Sequence, residues 1–135
     1  MSALQEFLGI RRVMALWENR VDTELGGVHG LGLSDFAALH YLAEAPSGRL
    51  RRVDLARRLA LTPSGVTRLL GPLERRGIVT READGNDARA TYAVLTRSGK
   101  ALMKDATATV TAIAETILGS VGERGRAAFA KLGTP

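Results

Sequence analysis

The run from Arg52 to Leu69, RVDLARRLALTPSGVTRL, leaves the chain few folds to choose from. Leu55, Leu59, Leu61, Val66 and Leu69 are its apolar positions, and Ala56 stands where two helices must cross closely. Thr62 followed by Pro63 opens a second helix, because threonine caps free amides and proline fits the first turn. Two short helices joined by a tight turn make a helix-turn-helix, with Val66 and Leu69 expected to hold the second helix inward. Next come two expected strands, Ile78–Glu82 and Ala90–Leu95, around the turn Asp84-Gly85-Asn86-Asp87-Ala88-Arg89. That hairpin would be a wing beside the second helix.

The rest of the chain reads as helix. Leu4, Phe7, Leu8, Val13, Leu16, Trp17, Val21 and Leu25 recur at helical spacing and predict a first helix over 3–25, stopped at Gly26-Gly27. Ser34 is the expected cap of a second helix over 35–44, with Phe36, Leu39 and Leu42 inward. Leu50 and Arg51 suggest a short strand. Pro72 and Gly71 weaken the fourth helix, 63–76, and predict either a kink or a tightened last turn. Thr96 caps a helix over 97–120, lined by Leu102, Ala106, Val110, Ile113, Ile117 and Val121, and a short helix closes the chain. The expected fold is therefore mainly α with a small β-hairpin wing. Residues 33–96 form the winged helix-turn-helix, and residues 1–32 and 97–135 form a helical dimerisation region, in one intertwined domain. A homodimer buries the flanking apolar stripes; a single-chain helical cap is the alternative.

Charge separates along the chain. Residues 1–48 carry three Arg and six acidic residues, a balance of −3, whereas residues 49–100 carry eleven Arg, one Lys and five acidic residues, a balance of +7. The cations thus fall on the helix-turn-helix and its wing, as phosphate binding requires. The exposed positions at the start of the second helix, Ser64, Gly65, Thr67 and Arg68, are candidate major-groove contacts. Asp87 and Arg89 lie on one face of a strand. Either the carboxylate aims the guanidinium at a minor groove, or the tip is a solvated turn with a surface ion pair. Together these features point to sequence-specific binding of double-stranded DNA.

The run Leu61–Val79 resembles the recognition helix and wing entry of the MarR (multiple antibiotic resistance regulator) family. Arg81 and the Asp87-Ala88-Arg89 step resemble its wing, and Leu95-Thr96-Arg97-Ser98-Gly99 its wing-to-helix junction. The resemblance implies a homodimeric transcription factor, most often a ligand-released repressor, reading a pseudo-palindrome. It carries Arg89 over as the minor-groove contact, paired with Asp87. Ala88 stands where relatives often have a second Arg, so a weaker wing grip is expected. The resemblance also implies a small aromatic or phenolic effector, for which Trp17, Phe36 and His40 are candidate pocket residues and Arg20 a carboxylate partner. Trp17 and Phe36, at helical spacing, read more readily as plain core.

Other classes find little support. The chain has no cysteine, which removes disulfides, thiolate chemistry and zinc–thiolate sites. His29 and His40 lack metal-ligand spacing, so no metal or cofactor is expected. No Gly-x-Ser-x-Gly elbow or phosphate loop is present, so an enzyme is not expected. The first twenty residues lack a signal peptide's layout and no apolar run is long enough for a membrane span, so a cytoplasmic protein is expected. A dimeric interaction module that has lost DNA binding is the alternative function.

Overall fold

The computed structural model describes residues 1–134, and all side chains among them except that of Ala88. The expectation attached to Ala88 lies outside the described residues. Among the described residues, six α-helices and three strands follow in order, with one 3-10 turn (Pro46–Gly48) before β1: α1 (Ala3–His29), α2 (Leu33–Glu44), β1 (Arg49–Arg51), α3 (Arg52–Leu59), α4 (Pro63–Arg75), β2 (Val79–Asp84), β3 (Asp87–Leu95), α5 (Arg97–Gly119) and α6 (Gly122–Leu132). The chain divides into two compact units. One is Met1–Leu33 with the chain from Ala108 onward, and the other is Ser34–Thr107.

In the second unit the core comes from Phe36, Leu39 and Leu42 of α2, Leu55 and Ala56 of α3, and Val66, Leu70 and Leu73 of α4. Ile78, Val79, Ala93 and Leu95 close it from the sheet. That sheet is antiparallel with order β1-β3-β2, so the wing's second strand is also the partner of the short strand preceding α3. Leu50 pairs with Ala93 and Val79 with Leu95 on the inner face, whereas Arg51 and Glu82 flank Tyr92 on the outer face. β3 buries Ala93 and Leu95 at a step of two, whereas β2 buries only its ends, Val79 and Asp84, with a register shift between Ala83 and Asp84. Thr96 caps α5 as expected: its hydroxyl oxygen accepts the Gly99 amide at 3.1 Å and lies 2.6 Å from the Gly77 carbonyl, to which it donates.

In the first unit α1 buries Val21 and Leu25, joined by Leu31, Ile113 and Ile117. His29 Nε2 meets the Thr109 hydroxyl at 2.9 Å, linking α1 to α5. Leu4, Phe7, Leu8, Ile10, Val13, Met14 and Leu16, on the N-terminal part of α1, are exposed. An apolar groove of about 240 Å³ runs between Ile10, Val13, Met14 and Phe129, and Trp17 meets Phe129 edge-on at 6.1 Å.

Several expectations change. α1 runs through Gly26-Gly27 and stops at Gly30, whose positive φ of 67° provides the left-handed cap. Ser34 does not cap α2: it lies inside the helix, and the Asp22 carboxylate accepts the Leu33 amide at 2.6 Å instead. Leu70 takes the buried place expected of Leu69, because a step of four from Val66 keeps to one helix face and a step of three does so less fully. Pro72 lies inside α4, and the helix end closes tightly, with the Gly77 amide donating to the Glu74 carbonyl at 3.0 Å, one of the two outcomes expected. The helix continues to Arg75 with Pro72 exposed, so the carbonyl deprived of its usual donor belongs to Arg68 on the exposed side. The wing strands are also longer than expected, leaving only Gly85-Asn86 as the turn.

Gly99 is where packing is least forgiving. A methyl group there would lie 2.2 Å from the Ile78 carbonyl oxygen and 2.7 Å from Leu95. Gly99→Ala is expected to cost about 1–3 kcal/mol, the usual range for overpacking, measured by urea denaturation. An unchanged midpoint would mean that the wing-to-α5 junction yields easily.

Candidate nucleic-acid interface

The N-terminal end of α4 is built for presentation. The Thr62 hydroxyl accepts the Gly65 amide at 3.1 Å, and Pro63 occupies the first turn. With Val66, Leu70 and Leu73 buried, Ser64, Thr67 and Arg68 are left on the exposed face, with half-buried Gly65 beside them. An added methyl on Gly65 would crowd the Thr62 hydroxyl at 3.2 Å, so glycine preserves the cap.

Between α4, the start of α3 and the first half of β3 lies an open cleft of about 210 Å³, lined among others by Arg51, Arg52, Pro63, Thr67 and Arg89. Arg89 and the N-terminal turn of α4 line this surface, a setting that favours anions, whereas the Arg51 and Arg52 guanidinium groups are already held by Asp84 and Glu74. The structure brings Thr67 and Arg89 to this cleft, which sequence spacing alone did not relate.

The wing tip is held by carboxylates. Asp87 Oδ1 accepts the backbone amide of Arg89 at 3.0 Å, so it fixes the main chain from which Arg89 projects rather than the guanidinium. A carboxylate two residues before an amide closes this local turn readily. Asp84 makes the same bond to the Asn86 amide at 2.9 Å and also receives Arg51 Nη2 at 2.5 Å. Asp84 is buried, unusual for a carboxylate, and these donors satisfy it. The Asn86 amide and then the Arg51 cation hold its carboxyl below the usual carboxylate range, against the opposing effect of burial. The Tyr92 side chain and then Asp84 raise Arg51 in turn. Arg49 lies over the Tyr92 ring, 4.3 Å from its centre, and pairs with Glu82.

Arg49, Arg51, Arg52 and Glu74 were not among the residues singled out from sequence. The available signal was Glu74: it is the only acidic residue between Asp54 and Glu82 in a strongly basic stretch. Half-buried Trp17 meets Phe129, Arg20 is exposed on α1, and buried Phe36 stacks on His40 at 6.2 Å. Among the described residues, no group of three or more His, Asp or Glu side chains is placed to hold a metal, and no helix is long and apolar enough to cross a membrane.

Fold and site together define a winged helix-turn-helix regulator. Residues 29–90 match the family model described as "MarR family". The chain is 37% identical over 101 residues to an HTH-type transcriptional repressor of Mycobacterium tuberculosis, covering 75% of this chain and 70% of that one. Its fold is similar to that of a MarR family transcriptional regulator from Streptomyces coelicolor solved in complex with DNA, with a TM-score of 0.88 at 22% identity, covering 98% of this chain and 84% of the other. A MarR family regulator from Rhodococcus gives a TM-score of 0.84 at 24% identity, covering 100% and 98%. The chain belongs to the MarR family of transcriptional regulators, and so to a family of regulators rather than enzymes.

Protonation of Asp84 provides a test of the wing. Because its folded-state value is depressed, the contribution of this brace is present above the ordinary carboxylate value of about 3.9 and is lost as pH falls through the depressed one. Asp84→Ala is expected to speed hydrogen exchange at the Asn86 amide at neutral pH while leaving the Leu55 and Leu70 amides protected. Equal acceleration at all three sites would show global destabilisation instead of a local wing brace.

Proposed function

We propose that this protein is a sequence-specific, double-stranded DNA-binding repressor that acts as a homodimer on a pseudo-palindromic operator. The observation that carries the reading is that the N-terminal turn of α4 and the Arg89 strand line one cleft, with Arg68 exposed on the same helix. In this reading α4 enters the major groove with Ser64, Gly65 and Arg68 toward the bases and Thr67 on the same exposed face, and Arg89 reaches the minor groove from a backbone held by Asp87. The DNA complex of the Streptomyces relative and the repressor name of the mycobacterial one support it. An interaction module that had lost DNA binding would have no need to keep Arg68 and Arg89 exposed.

The exposed apolar face of α1 supports the dimer. Phe7 is 67% exposed and Leu4 66%, beside an apolar groove, a surface that single soluble chains seldom leave uncovered. A second copy related by a two-fold axis covers it and sets two recognition helices about one helical turn of DNA apart. Release by a small aromatic or phenolic ligand completes the proposal. Trp17 is the only tryptophan, so its fluorescence reports any ligand that binds beside it or near Arg20.

Selection from a random pool of duplexes is expected to return a pseudo-palindrome. On that sequence, roughly 6–10 phosphate contacts predict an affinity loss of about 10³–10⁵ between 50 and 200 mM salt. A flat salt response would exclude the DNA reading. Arg89→Ala is expected to weaken binding with the dimer intact, and unchanged affinity would remove the wing from the interface. Phe7→Asp is expected to shift the mass seen by light scattering from two chains to one and to abolish tight binding; a persistent dimer would place the interface elsewhere.

A further inference from the structure

Arg52, the first residue of α3, reaches across to α4 at two points. Its Nη1 donates to Glu74 Oε1 at 3.0 Å and its Nη2 to the Thr67 hydroxyl at 3.3 Å. Residues 67 and 74 are seven positions apart, about two helical turns, so they share one side of α4. The Arg52 side chain is only 13% exposed, and its charge is therefore committed within the protein. Glu74 takes a second cation from β2, with Arg81 Nε at 3.3 Å from both carboxylate oxygens. A carboxylate in the last turn of a helix opposes the helix dipole, and two guanidinium groups offset that.

The same network limits what Thr67 can do. A threonine hydroxyl has one hydrogen, and here it donates to the Pro63 carbonyl at 3.1 Å. While that bond holds, Thr67 has no hydrogen for a phosphate oxygen or a guanine edge, both of which only accept. One of its lone pairs already receives Arg52. Ser64 and Arg68 lie on the same exposed face.

Resting on the reading of α4 as the DNA-contacting helix, we propose that Arg52 is a positioning residue for sequence recognition. By tying Thr67 and Glu74 it sets the rotation of α4 in its seat and keeps the Thr67 hydroxyl within the protein, leaving base reading to Ser64 and Arg68. Its contribution is to discrimination between sequences, and not to general attraction for phosphate.

The test compares full-length wild type, Arg52→Ala, Glu74→Gln and Thr67→Val on the duplex recovered from the random pool and on an unrelated duplex of equal length. Arg52→Ala is expected to lower the ratio of the two affinities by about tenfold, a fraction of the usual specific-to-non-specific span, with the salt slope unchanged. Glu74→Gln is expected to lower the same ratio while raising affinity for the unrelated duplex, because it removes a negative charge. Thr67→Val is expected to lower the ratio without changing the preferred base at any position. The proposal is overturned if Arg52→Ala reduces the salt slope by about one and keeps the sequence preference, the mark of a phosphate contact. It is also overturned if Glu74→Gln strengthens both duplexes equally, or if Thr67→Val changes the preferred base at one position. Should Arg52→Ala fail to fold, judged by its melting curve, Glu74→Gln and Thr67→Val decide by the same readouts. Wild type that binds neither duplex would instead defeat the DNA reading itself.

Discussion

The seating of α4 is the constraint on which the rest depends. Val66, Leu70 and Leu73 are at most 1% exposed, at helical steps of four and three, against a core supplied by α2, α3 and the sheet. Burying that stripe fixes which face of the helix is left outside. Fully burying an aliphatic side chain is worth about 1.5–3 kcal/mol, so three such anchors outweigh anything the exposed polar face gains from contacts of its own. The outward face of α4 is thus a consequence of its inward one.

Polar contacts then refine what packing begins. The central strand β3 pairs with both β1 and β2, and this carries Arg51 to Asp84 and brings the entry of α3 beside the wing. Glu74 collects Arg52 and Arg81, joining α3, α4 and β2 through one carboxylate. These pairs are partly shielded, so they define orientation more than they add stability. The result is a DNA-binding unit whose helix and wing are cross-braced, in a segment where self-repulsion of a net +7 would otherwise favour loosening.

The unit built from α1, α6 and the end of α5 follows a different logic. It buries few side chains of its own and leaves a long apolar surface on α1. Apolar periodicity in sequence marks that surface but does not say whether it faces its own chain or another. Family membership places the chain among transcriptional regulators; the exposed surface is what motivates a partner copy.

The sequence by itself determined the helix-turn-helix, the wing and the family. Apolar spacing, the Thr62-Pro63 and Thr96 caps and the turn-forming Asp-Gly-Asn run are local signals, and local physics reads them directly. Its failures came where a distant group competed with a near one. Ser34 lost its capping role to Asp22, and Gly26-Gly27 were carried through by a helix that found its left-handed cap at Gly30. The partners of Asp84, Glu74 and Thr67 were decided only by the tertiary structure. Which of eleven nearby arginines meets which carboxylate depends on strand register and helix rotation, and neither is written in residue spacing.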